Sequence, residues 1–137
     1  MALPITVLPD AELAVIQYLR SRTEVTSLVP AARITTTLPT EPTYPVILVK
    51  RIGGLAKAWQ QIDEPALQVE VVGGSRYQCQ QIARTVRACL LAIFNDTVTE
   101  AVLASASEEV GIQWIPDTVV VPPLPRYVAR YQVLLHK

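Results

Sequence analysis

The segment Asp63–Phe94 (DEPALQVEVVGGSRYQCQQIARTVRACLLAIF) constrains the fold more than any other part of the chain. Leu67, Val69 and Val71 alternate with Gln68, Glu70 and Val72, and this period of two predicts a strand with one buried face. Pro65 is expected just before the strand, where a missing N–H costs no ladder bond. Gly73 and Gly74 permit a sharp turn. Ser75 and Gln78 have capping-box spacing, so a helix is expected to start at Ser75. Along it, Ile82, Val86, Leu90 and Ile93 make one apolar stripe that predicts the core-facing side. Arg76, Gln80, Arg84 and Arg87 make a second stripe on another face, which reads either as solvated surface or as a surface for a partner.

The strand-to-helix corner is where a nucleotide-binding α/β protein would carry its phosphate loop. A helix start preceded by glycines is a possible anion site. Yet the Lys and Ser/Thr of a P-loop and the three spaced glycines of a dinucleotide fingerprint are missing here. The corner reads as packing. Cys79 and Cys89 sit on the same predicted helix, about 15 Å apart along its axis. That exceeds the reach of a disulfide, and only the distant His136 could join them around a metal. Both read as small packing residues, and neither a metal nor another cofactor is expected.

With 137 residues the chain fits one domain, spanning residues 1–137. Half of its residues are apolar and few are charged, a balance that points to apolar surface covered by a partner. The formal net charge is zero, which argues against tight nonspecific binding to nucleic acid through a global basic field. No apolar run has the length of a membrane span. The N-terminal stretch lacks a basic segment and is interrupted by Pro4 and Pro9, so it does not read as a signal peptide; a cytoplasmic protein is expected.

Elsewhere, Asp10 is the expected N-cap of a first helix that buries Leu13, Val15, Ile16 and Leu19 and fades near Arg22. Arg33–Leu38 reads as an edge strand. Pro39–Pro45 is a proline-rich loop. Val46–Ile52 is a nearly continuous apolar run, hence a central strand covered on both faces. Gly53-Gly54 is expected to end it, with Ala56–Ile62 returning as part of a hairpin or long arm. Asn95-Asp96-Thr97 reads as a break, and Val98–Ala106 is ambiguous between helix and strand. Gly111–Ile115 reads as a strand, Val119–Pro125 as an extended loop, and Arg126–His136 as a last alternating strand. The expected fold is α+β: a single mixed or antiparallel sheet, two main helices on one face and long Pro-rich loops.

No catalytic constellation emerges. Asp63-Glu64 and Glu108-Glu109 are acid pairs, but neighbours on an extended chain point in opposite directions. His136 has no acid or nucleophile near it in sequence. Trp59 reads equally as a core cap or as an interface anchor, whereas Trp114 reads as core.

The order of these segments resembles that of the tail terminator proteins of long-tailed bacteriophages. The resemblance rests on the N-terminal helix, the Pro-rich loop before Tyr44-Pro45-Val46-Ile47-Leu48-Val49, the Asp63–Gly74 strand and corner, and the helix containing Ala83–Ala88. The closing Trp114-Ile115-Pro116-Asp117 and Pro125-Arg126-Tyr127 are similar to versions from phages of actinobacteria. The chain departs from the pattern in the valine- and proline-rich loop from Asp117 to Pro125, where more polar residues are expected.

The resemblance implies a non-enzymatic virion protein of the tail or neck, assembled in the host cytoplasm as a homo-hexameric ring on the head-proximal end of the tail tube. Its implied partners are copies of itself, the tail tube protein and a head–tail connector or stopper, with DNA passing through the channel without specific binding. Candidate contact residues are Tyr44, Trp59, Asp63, Glu64, Arg76, Arg84 and Arg87, with Arg84 and Arg87 expected to pair with Asp63 or Glu64 of a neighbouring subunit. The alternatives are a head-closure or connector neck protein and, less in keeping with the motifs, a small ligand-binding domain or enzyme.

Overall fold

The computed structural model describes residues 4–59 and 61–137. In chain order these form α1 (Ala11–Ser21), the single-turn α2 (Thr23–Thr26), a 3-10 turn (Ala31–Arg33), β1 (Ile34–Thr35), β2 (Val46–Lys57), β3 (Ile62–Val72), α3 (Arg76–Leu91), β4 (Phe94–Thr97), β5 (Val102–Trp114) and β6 (Arg126–His136). The strands make one sheet in the order β1-β2-β3-β6-β5-β4. β1 runs parallel to β2 and every other neighbouring pair is antiparallel. The fold is therefore α+β with a mixed sheet, and α1 and α3 lie together on one of its faces.

The core follows from periodicity. Ile47 and Val49 of β2, Leu67, Val69 and Val71 of β3, and Tyr131, Val133 and Leu135 of β6 meet Val15 and Leu19 of α1 and Ile82, Val86 and Leu90 of α3 in one cluster. Each such aliphatic side chain contributes about 1.5–3 kcal/mol on burial. The helix starts are the expected ones. The Asp10 carboxylate accepts from Leu13 N at 3.1 Å, and the Ser75 hydroxyl accepts from Gln78 N at 3.0 Å. Tyr18 ties the two helices together by donating to the Cys89 carbonyl at 2.5 Å. Both cysteines are buried packing residues, and the Cys79 thiol donates to the Val71 carbonyl at 3.1 Å.

The other side of the sheet carries a smaller cluster of Val46, Leu48 and Val72, with Tyr44 and Leu124 packed on it. A Cβ at Gly73, which has a φ of 93°, would run into the Tyr44 ring. The glycine of the corner thus serves the packing of the Pro-rich loop.

Several expected boundaries are displaced, each for a tertiary reason. Leu13 is 44% exposed, and Tyr18 fills the place on the buried side of α1 instead. β1 covers only two residues, and one of its carbonyls is taken by a side chain: Arg20 donates to Ile34 O at 2.8 Å, while Arg33 just before it donates to the Tyr44 carbonyl of the Pro-rich loop at 2.9 Å. Gly53-Gly54 does not end β2; the strand bulges between Arg51 and Gly53 and continues to Lys57. Pro65 lies inside β3, not before it, opposite Gly54. The β3–β6 pairing skips Glu64 and Pro65, so the missing N–H leaves no ladder partner stranded. The expected break at Asn95–Thr97 belongs to β4, with Asn95 in the left-handed region at φ 50°. The ambiguous Val98–Ala106 is a turn up to Ala101 and strand from Val102, and it runs on through the expected Gly111–Ile115 strand as one β5 that ends at Trp114. Its three register breaks, at Leu103/Ser105, Glu108/Val110 and Val110/Gln113, erase the period of two.

Burial pushes the Cys79 thiol up to about 11 from its ordinary 9.0, and the Tyr131 phenol up to about 12 from its ordinary 10.0. Between the ordinary and raised values the unfolded chain holds fewer protons than the folded one, so stability falls as pH rises. Thermal melting followed by circular dichroism should be insensitive to these two groups below pH 9.0 and should drop progressively as pH climbs through 11 towards 12. Tyr131→Phe should blunt the upper part of that drop.

Candidate assembly surface

β2 and β3 are longer than the core they serve. From Arg51 onward the residues of β2 are exposed, and the two strands continue as a paired hairpin through Lys57 and Ile62. This is the arm that the Ala56–Ile62 segment foreshadows. Its base is locked. The Arg51 guanidinium grips the Asp63 carboxylate with two hydrogen bonds, at 2.6 and 2.8 Å, and donates a third, from Nε, to the Gly53 carbonyl at 3.0 Å. The Arg51 amide donates to the Glu12 carboxylate of α1 at 2.9 Å. Asp63 is only 3% exposed, so the pair anchors the arm where it leaves the core. The neighbouring carboxylate raises the Arg51 pKa further, first through the hydrogen bonds. Gly54, at φ 106°, has no room for a Cβ against the Glu64–Pro65 backbone, which lets the two strands approach closely beyond the bulge. Further out, Lys57 pairs with Glu64.

The arm presents apolar groups to solvent: Ile52, Leu55 and, at its tip, Trp59, which is 82% exposed. Ala58 and Trp59 both adopt left-handed backbone conformations, at φ 51° and 57°. Such conformations cost roughly 1–2 kcal/mol in residues with a side chain. The exposure of the Trp59 indole speaks against the core-capping reading of this residue.

The expected site residues fall into separate places. Trp59, Asp63 and Glu64 share the arm. Arg76, Arg84 and Arg87 run along α3. Tyr44 is half-buried on the opposite face of the sheet. Three of the four charges expected to pair between subunits already have partners within the chain: Asp63 with Arg51, Glu64 with Lys57, and Arg87 with Glu108 at 2.6 Å. Only Arg84 has none among the described residues. Arg76 covers the Trp114 ring at 4.2 Å and donates to the Tyr127 hydroxyl at 3.4 Å. Trp114 stacks on Tyr127 at 5.1 Å and is 37% exposed, so it is a surface cluster residue where core was expected.

Residues overlooked in the sequence complete the surface. Arg51 is the main one, and its signal was a cation in the middle of an apolar strand run. Arg22 and Glu24 of the α2 turn, with Tyr77, Gln81, Arg84 and Ala88 of α3, line a depression of about 500 Å³ on the outer side of the helix layer. There Arg22 pairs with Glu24 at 3.4 Å and lies 5.7 Å from the Tyr18 ring. Its Nε is buried without a hydrogen-bond partner among the described residues. The helix-free face of the sheet holds a buried Glu70 between Lys50 at 3.0 Å and Arg126 at 3.7 Å. His136 borders a depression of about 240 Å³ with Thr6, Leu8 and Ile62, and the Glu108 carboxylate is engaged by Arg87. No helix among the described residues is long and apolar enough to cross a membrane.

Arg51→Met should strand the buried Asp63 carboxylate. The expected loss is about 1–3 kcal/mol, less than for a fully buried pair because the guanidinium reaches solvent. Urea denaturation would measure it, and Asp63→Asn in the same background should recover part of the loss.

No curated protein matches this sequence. Among solved structures, a chain of the virion of native gene transfer agent (GTA) particle has the same fold, with a TM-score of 0.65 over 93% of this chain and 95% of that chain at 12% identity. The sequence pattern of the family described as phage tail termination protein matches residues 7–122, from the approach to α1 into the proline-rich loop before β6. The chain therefore belongs to the phage tail termination protein family, a family of structural tail proteins of the virion.

Proposed function

We propose that the whole chain, residues 1–137, acts as one domain that closes into a homo-hexameric ring on the head-proximal end of the tail tube. There it ends tube polymerisation and offers the docking surface for the head-side connector. The observation that carries this reading is the arm. A hairpin braced by a buried ion pair and tipped with an exposed tryptophan has no use in an isolated subunit. It fits a protein whose work is done by contact.

Other features support the same reading. A cyclic ring needs two different complementary patches on every subunit. The arm and the outer face of the helix layer are two such patches on one chain. The charged side chains of the sheet and the arm are largely neutralised in pairs, and the formal net charge is zero. DNA moving through a central channel would then meet little net phosphate affinity. The protein needs no cofactor for this role and works in the neck of the virion after assembly in the host cytoplasm.

Electron microscopy of lysates from a phage lacking this gene tests the proposal. Overlong, headless tail tubes are the expected outcome. Tails of normal length lying apart from filled heads would instead assign the chain to the connector, and intact infectious particles would overturn any role in assembly.

A further inference from the structure

The α2/α3 depression and the arm tip are complementary in chemistry, and among the described residues Arg84 of the one and Trp59 of the other have no partner within the subunit. The depression has an exposed methyl floor at Ala88, an aromatic wall at Tyr77, and cationic rims at Arg22 and Arg84. Guanidinium groups bind the negative face of an indole ring. The same chain already makes this contact one step along the arginine stripe, where Arg76 covers Trp114 at 4.2 Å. Arg22 Nε is a buried donor with no acceptor among the described residues, and a hairpin turn brings backbone carbonyls as well as a side chain. The ions of the arm are paired with each other, Arg51 with Asp63 and Lys57 with Glu64. The tip therefore enters a site with two cations and one acid without bringing an unpaired charge to desolvate.

We propose that Trp59 at the arm tip of one subunit inserts between α2 and α3 of the next copy of the chain, its indole face against the Arg84 guanidinium. The contact is head-to-tail, as a closed ring requires. An aromatic side chain seated in such a depression removes roughly 150–250 Å² from water, which makes Trp59 the anchor residue of the subunit interface. This replaces the carboxylate partners first expected for the arginine stripe with an aromatic one. The inference rests on the ring reading.

Disulfide trapping in assembled particles carrying Trp59→Cys together with Ala88→Cys tests the contact. Under mild oxidation the chain should migrate as a ladder that ends in a closed species, at a yield well above that of either single variant, in which only the native buried Cys79 and Cys89 are available as partners. In purified rings, Trp59→Ala and Arg84→Ala should each raise the concentration for half-dissociation about tenfold or more, and Trp59→Phe should restore most of the loss because it keeps a π face. Three results would overturn the docking and leave the ring standing: rings that form without the cross-link, rings indifferent to Trp59→Ala and Arg84→Ala, or a disulfide from the Trp59→Cys thiol to a different protein. Wild-type particles in which the chain forms no ring would overturn both readings.

Discussion

Arg51 and Asp63 face each other where the sheet stops being a core element and becomes an arm. Up to Val49 and from Leu67 the two strands are held by apolar packing under the helices. Beyond that point the β2 residues are exposed, while β3 stays flanked by β6 as far as Asp63, which pairs with Leu135. Only at its far end is the arm a two-stranded ribbon, which alone is marginal in water, and it is braced by Arg51, whose guanidinium reaches a buried carboxylate and a strand carbonyl and whose amide donates to Glu12 in the first turn of α1. The orientation of Trp59 relative to the helix layer is inherited from that junction. An arm that pointed in many directions would lose much of its contact energy to ordering on every docking event.

The helix layer has two surfaces with different duties. The inner stripe of α3 closes the core, and the outer stripe of arginines is used one residue at a time. Arg76 clamps the end of β5 through Trp114 and Tyr127, while Arg87 reaches Glu108 in the middle of β5. Arg84, between them, is left facing the depression beside α2. A row of like residues at helical spacing therefore divides into two struts and one open cation, and sequence spacing alone does not make that division.

Legibility followed the range of the interactions. α1, β3 and α3 were readable because their caps and periods lie within a few residues of one another: Asp10 with Leu13, Ser75 with Gln78, and the alternation from Leu67 to Val71. The family was readable for the same reason, as an order of local segments. The arm was half readable. Its existence showed in Ala56–Ile62, but Gly53-Gly54 looked like a terminator and is instead paired strand just past the bulge, where Gly54 lets β2 pass close to Pro65. β5 was lost because three bulges scramble its alternation. The in-chain partners of Asp63, Glu64 and Arg87 were not legible because those counterions come from other strands, a pairing that no local pattern encodes. The depression beside α2 had no signal at all, since it exists only once α2 and α3 are packed together.

The irregular margins of the sheet carry a kinetic consequence. β1 covers only two residues of β2 and β4 covers only the start of β5, so long stretches of both inner strands lie near an open margin. Unbroken strand margins are templates on which copies add without limit. Here one margin is broken by the Arg51/Gly53 bulge and the other by repeated register breaks along β5, and each break misaligns the donors and acceptors that a second copy would need. Such breaks oppose the zipping of subunits into open-ended sheets. A member of the tail termination family is thus built with margins that make it a poor seed for sheet polymerisation.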